Sequence, residues 1–120
     1  MSPVVKVIHP VGLLDRTKAS QFNQEISNCV DTSSDKSDKG ESGAEVVLID
    51  FKDVTFMDSS GLGAVVLAIK TVQSAGSQIY VCALNNQVKM LFELAGLDKV
   101  IEIFEHQPEF EEKVLPNKPS

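Results

Sequence analysis

The segment Val46-Val47-Leu48-Ile49-Asp50-Phe51 is apolar at successive positions rather than at alternate ones. Successive side chains of an extended strand point to opposite faces, so a run of this kind must be covered on both sides. That excludes a sheet with one wetted face. It calls for a layered α/β domain in which helices pack over a mostly parallel sheet.

The rest of the chain supplies such layers. Val4 to Val11 is β-branched and roughly alternating, a strand whose end is weakened by Pro10. Gly12-Leu13-Leu14-Asp15 reads as a turn. From Thr17 to Val30 the apolar positions Ala19, Phe22, Ile26, Cys29 and Val30 recur at helical spacing, with Asp15 or Thr17 as N-cap. After the strand at Val46–Phe51, Val54-Thr55-Phe56-Met57 reads as a short connection. Asp58-Ser59-Ser60-Gly61 then opens a helix with Leu62, Val65, Val66, Ile69 and Val72 as its buried stripe and Gly76 as its stop. Ile79 to Leu84 is the next strand. Asn85 or Asn86 caps a short helix carrying Val88, Leu91, Phe92 and Ala95, ended by Gly96. Val100 to Phe104 is a strand, and Pro108 starts an acidic last helix with Phe110 and Val114 inward. The predicted order is βαβαβαβα, a single α/β domain with a mostly parallel four- to five-stranded sheet and flanking helices.

Charge narrows the partners. The 120 residues carry a net charge of −6. Residues 31–45 and 102–120 each hold five acids and two lysines, and the remainder is balanced at seven against seven. The acidity therefore belongs to a polar segment at 31–45, expected to be a mobile loop, and to a tail expected to be disordered over 116–120. This balance is poor for gripping phosphate backbones, so no nucleic-acid partner is expected. The longest apolar run, Ala64 to Ile69, is far short of the ~18 residues of a membrane span. The start lacks the order of a signal peptide, so the expected location is the cytoplasm, without membrane association. With the apolar residues accounted for by internal stripes, the free protein is expected to be monomeric.

Chemistry-bearing residues are sparse. Cys29 and Cys82 form no CxxC pair and read as reduced thiols among apolar neighbours. His9 and His106 have no partner at ligand spacing, so neither a metal nor a cofactor is expected. Ser59 and Ser60 lie outside any GxSxG context, which argues against a hydrolase. Gly61-Leu62-Gly63 lacks the third glycine of a dinucleotide loop, and paired glycines at a tight strand-to-helix turn more often signal close backbone packing.

The most informative run is Phe56-Met57-Asp58-Ser59-Ser60-Gly61-Leu62-Gly63, where polar residues appear abruptly between apolar segments. The simpler reading is an N-cap, Asp58 or Ser59 accepting from a free N–H of the first turn. A cap accounts for one polar residue, not three. A serine in the first turn of a helix is also a place where a phosphate meets free N–H donors and the positive end of the helix dipole. Phosphate there adds close to two negative charges beside Asp58.

This run resembles the central motif of STAS domains, in particular the stand-alone anti-sigma factor antagonists. The resemblance continues through Gly12-Leu13-Leu14-Asp15, Gly76, Val81-Cys82-Ala83 and Val88-Lys89-Met90-Leu91-Phe92-Glu93-Leu94-Ala95-Gly96-Leu97, and covers about residues 4–115. It implies a non-enzymatic switch. Ser60 would be the phosphoacceptor, and Asp15, Gly12, Asp58, Ser59, Gly61 and Leu62 would form the partner-binding region. The implied partners are an anti-sigma factor with GHKL-type serine kinase activity and a PP2C-type phosphatase. Two features depart from the family pattern. Only Met1 to Pro3 precede the first strand where an additional edge strand is common, and the 31–45 segment is longer than the usual link. The alternative within the family is a scaffold or regulatory subunit of a stressosome-like or transport complex that binds nucleotide. An aspartyl-phosphate receiver fits poorly, because Asp15 stands without a second acid after the first strand, and Phe104-Glu105-His106 stands at the end of the last strand where that fold needs a lysine.

Overall fold

A computed structural model describes residues 5–30 and 45–114. The elements are β1 (Val5–Ile8), β2 (Gly12–Leu14), α1 (Arg16–Val30), β3 (Val46–Asp50), β4 (Val54–Met57), α2 (Ser59–Ser74), β5 (Gln78–Cys82), α3 (Asn86–Leu94), a 3-10 turn (Leu97–Lys99), β6 (Glu102–Phe104) and α4 (Gln107–Val114). Strands β1, β3, β5 and β6 form one parallel sheet in that order, with Val47 of central β3 opposite Lys6 and Ile79. Every residue of β3 is buried, as its continuous apolar run requires.

The two faces are covered unequally. Val47, Ile49, Ile79 and Val81 pack with α1, α2 and α3 through Phe22, Ile26, Val65, Val72, Val88 and Phe92. Val46, Leu48, Cys82 and Phe104 of the opposite face pack with Phe110 of α4. There Tyr80, Phe104 and Phe110 form an aromatic trio with centroids 5.6–5.9 Å apart. Phe110 is 1% exposed, and burial of such a ring contributes about 1.5–3 kcal/mol, the main hold on this eight-residue helix.

Two of the expected connections are strands. Gly12–Leu14 and Val54–Met57 pair with each other in parallel as a separate two-stranded sheet, so the order is ββαββαβαβα rather than βαβαβαβα. Each is too short for a period of two to emerge, and the partner that makes each a strand lies 42–43 residues away in the chain. The first strand ends at Ile8, before Pro10, and Val100 is exposed after the 3-10 turn rather than in β6. Ala95, expected on the inner face of α3, is its exposed C-cap. Gly76 stops α2 as expected: at φ +82° it directs its N–H to Gln73 O and the Ser77 N–H to Val72 O. The expectations that the additional edge strand is missing or shortened at residues 1–3, of a loop over most of 31–45 and of a tail at 116–120 lie outside the described residues.

Candidate functional site

The site is built on β2 and β4. Leu13 pairs with Phe56 and Leu14 with Met57. Leu14 and Met57 face the core, whereas Leu13 and Phe56, side by side, are 50% and 47% exposed. Internal stripes therefore do not account for all apolar residues, and an in-register apolar pair is left on the surface.

Met57 ends β4 and Asp58 leads into α2. Asp58 has extended backbone, its N–H donates to Leu14 O at 3.3 Å, and its Oδ1 accepts the Gly61 N–H at 3.0 Å. Asp58 is therefore the cap, which the sequence left open between Asp58 and Ser59. Ser59 and Ser60 occupy the first two helical positions. Ser59 is exposed and Ser60 half-buried, and among the described residues no hydrogen bond engages either hydroxyl. Gly61 is buried against β2, and Leu62 is half-buried against the core. Gly63 faces open space, so close packing explains only one glycine of that run, and none of the described clefts is lined by residues 61–63.

Helix α1 begins beside this turn. The Asp15 carboxylate accepts from Thr17 Oγ1 at 2.6 Å and from the Thr17 N–H at 3.1 Å. The Thr17 hydroxyl, with backbone N–H groups, holds the Asp15 carboxyl below its ordinary range. The Gly12 N–H donates to Asp53 O at 2.8 Å, and Lys18 Nζ to Val11 O at 3.1 Å. The Asp58–Leu14 bond thus brings the N-termini of α1 and α2 together. Neither has an acid in its first turn, and Arg16 and Lys18 lie in that of α1. Positive helix ends, each capped by a single carboxylate, Asp15 and Asp58, suit a place where the charge of one added group changes the surface.

Sequence reasoning missed a second support. The outer edge of β4 is closed by side chains of the α3 N-terminus. Gln87 Oε1 accepts the Met57 N–H at 2.9 Å while Gln87 Nε2 donates to Met57 O at 2.8 Å. Asn85 Oδ1 caps α3 at the Val88 N–H, and Asn85 Nδ2 donates to Val54 O at 3.1 Å. The available signal was Asn85-Asn86-Gln87, three amides where a cap needs one. The predicted residues Gly12, Asp15, Asp58, Ser59, Ser60 and Gly61 gather in one region; His9 reaches its margin through Asp53, whose carbonyl holds the Gly12 N–H. His9 pairs with Asp53 at 2.9 Å, and His106 Nδ1 accepts the Glu109 N–H at 3.3 Å where α4 begins. Among the described residues no three potential ligands cluster as a metal site, and no helix is long and apolar enough to cross a membrane.

Comparison with known proteins gives this geometry its context. The STAS domain family matches residues 2–109. The anti-sigma F factor antagonist of Paenibacillus polymyxa is 26% identical over 89% of this chain and 91% of its own. The anti-sigma-B factor antagonist of Listeria monocytogenes is 40% identical over about half of each chain, 48% of this one and 51% of its own. The SulP transporter STAS domain of Vibrio cholerae superposes with a TM-score of 0.74 at 16% identity, covering 97% of this chain and 84% of that one. The Bacillus cell-fate determinant SpoIIAA in its phosphorylated form superposes with a TM-score of 0.66 at 20% identity, covering 90% and 88%. At these identities the superpositions speak to fold.

Proposed function

The chain belongs to the STAS domain family, and on that premise we propose that it is an anti-sigma factor antagonist whose binding is switched by phosphorylation of Ser60. The observation that carries this reading is the Asp58-capped turn, which holds Ser60 half-buried, its hydroxyl engaged by none of the described residues, directly after the strand that carries exposed Phe56 paired with Leu13. The unmodified turn, with Gly12, Asp15 and Ser59 around it, is the surface on which an anti-sigma factor with serine kinase activity docks. Gly61 and Leu62 support that surface from beneath. The docked kinase transfers the γ-phosphoryl group of ATP to the Ser60 oxygen, releasing ADP and the hydroxyl proton; the added dianion faces Asp58 and Asp15, and the complex separates. A PP2C-type phosphatase restores the binding form. The domain acts by binding and catalyses nothing itself.

The second reading within the family is a regulatory subunit of a transport or stressosome-like complex that binds nucleotide; a transporter's STAS domain has the same fold. Intact mass of the protein isolated from its own host, with and without phosphatase, separates the two. A phosphatase-sensitive phosphate mapped to Ser60, together with release from the anti-sigma factor on phosphorylation, is the expected result. An unmodified protein that co-purifies with a transporter would replace the first reading by the second.

A further inference from the structure

A short strand at the end of a two-stranded sheet leaves one edge of N–H and C=O groups without a ladder partner. In β4 that edge meets side-chain amides instead of a third strand. Gln87 engages the Met57 N–H and C=O together, at 2.9 and 2.8 Å, as a neighbouring peptide would. Because one contact needs an acceptor and the other a donor, only one orientation of the carboxamide satisfies both. Met57 is the last residue before the cap Asp58, and its side chain is fully buried.

We propose that Gln87 is the positioning residue of the phosphoacceptor turn: by locking Met57 it fixes where Ser60 stands relative to the Leu13–Phe56 surface. The inference rests on the reading of Ser60 as the switch. On its other side the turn is held through backbone, by the Asp58 N–H on Leu14 O and by Gly61 packed under β2. Without Gln87 the outer edge of β4 keeps Asn85 at Val54, but the Met57 backbone at the turn loses both of its hydrogen bonds there and can shift about the Leu14 contact. Transfer of a phosphoryl group demands that the hydroxyl be held close to in-line position, and a misplacement of about 1 Å can cost of order a hundredfold in rate. Leu13 and Phe56 make no hydrogen bond to Gln87, so its loss should lower turnover more than it weakens binding.

The test uses Gln87→Leu and Gln87→Glu in the full chain. Backbone amide exchange should rise about tenfold or more at Met57 and Gly61 in Gln87→Leu, with Val47 to Ile49 of β3 nearly unchanged. In Gln87→Glu a protonated carboxyl can both accept from and donate to Met57, and a carboxylate can only accept. Protection relative to wild type should therefore return as pH falls toward about 4, near the ordinary glutamate range, and Gln87→Leu should show no such return. Phosphate on Ser60, mapped in protein expressed in its own host, should drop about tenfold or more in Gln87→Leu. A parallel rise in exchange throughout β3 would mean that Gln87 supports only global stability and would overturn the proposal. Loosened exchange with undiminished phosphorylation would overturn it too, as would unchanged exchange at Met57 and Gly61. Wild type without phosphate on Ser60 would instead sink the switch reading, and the exchange arms would still decide whether Gln87 locks the turn.

Discussion

Gly61 lies directly beneath the carbonyl oxygen of Leu14, so that a methyl group on its α-carbon would fall inside that oxygen and 2.9 Å from Met57 Cγ. The oxygen belongs to backbone that also receives the Asp58 N–H, and it cannot swing away without breaking the turn. Gly61→Ala should therefore cost about 1–3 kcal/mol through forced displacement of backbone. Gly63, two residues on, has nothing within 4 Å of such a methyl group and should respond oppositely. Gly63→Ala should gain up to about 1 kcal/mol from helix propensity. Urea denaturation of the two variants checks both signs.

The serines and the aspartate of the motif separate in the same way. Asp58→Ala removes the acceptor of the Gly61 N–H and should cost about 0.5–2 kcal/mol. Ser59→Ala touches no cap, contrary to what the sequence allowed, and should stay within about ±0.5 kcal/mol. Asp58→Asn keeps an accepting oxygen and should lie between them. A large loss in Ser59→Ala would mean that the cap has been misassigned.

Cys82 sets a limit at high pH. It is fully buried, and burial together with the neighbouring Asp50 carboxylate pushes its thiol up to about 12. Unfolded, a cysteine thiol titrates near 8.5. Between those values the unfolded chain loses a proton that the folded chain keeps. Stability therefore falls as pH rises through about 9 to 12. Denaturation midpoints across that range should decline in wild type and decline less in Cys82→Val. Thiol-reactive reagents should modify half-buried Cys29 first and Cys82 only on unfolding. Rapid labelling of Cys82 in the native protein would contradict this placement.

The layered fold was legible because Val46 to Phe51 can be nothing but a strand covered twice, and because Phe22, Ile26, Val65, Val72, Val88 and Phe92 repeat at helical spacing toward one face. The capped turn at Asp58–Gly61 was legible because polar residues interrupt that pattern. The sheet beneath it was not. Gly12–Leu14 carries a turn residue, β4 exposes both Thr55 and Phe56, and neither strand shows a period until it is paired with the other. Gln87 was hidden for a related reason: a glutamine in the first turn of a helix is unremarkable until the strand edge it faces is known.

Ser60 should act through charge, with the fold unchanged. It stands in the first turn of α2, where free N–H groups and the helix dipole tolerate a phosphate, so phosphorylated protein and Ser60→Asp should melt close to wild type. Binding is a different matter. A partner seated on Leu13, Phe56 and the Asp58 turn excludes water from the added charge, and the capping carboxylates Asp58 and Asp15 lie on the same surface. An uncompensated charge buried in an interface can cost about 3 kcal/mol, roughly a hundredfold in Kd. Ser60→Ala has no hydroxyl to modify and no charge to bury, so it should bind the anti-sigma factor permanently. Ser60→Asp should bind weakly, and Phe56→Ser should weaken binding without preventing release of what does bind. Titration calorimetry of the three variants against the anti-sigma factor, with mass spectra after incubation with the kinase and ATP, reads all of these. Phosphate on Ser59 or Thr55, or wild-type affinity in Ser60→Asp, would show that the charge acts elsewhere.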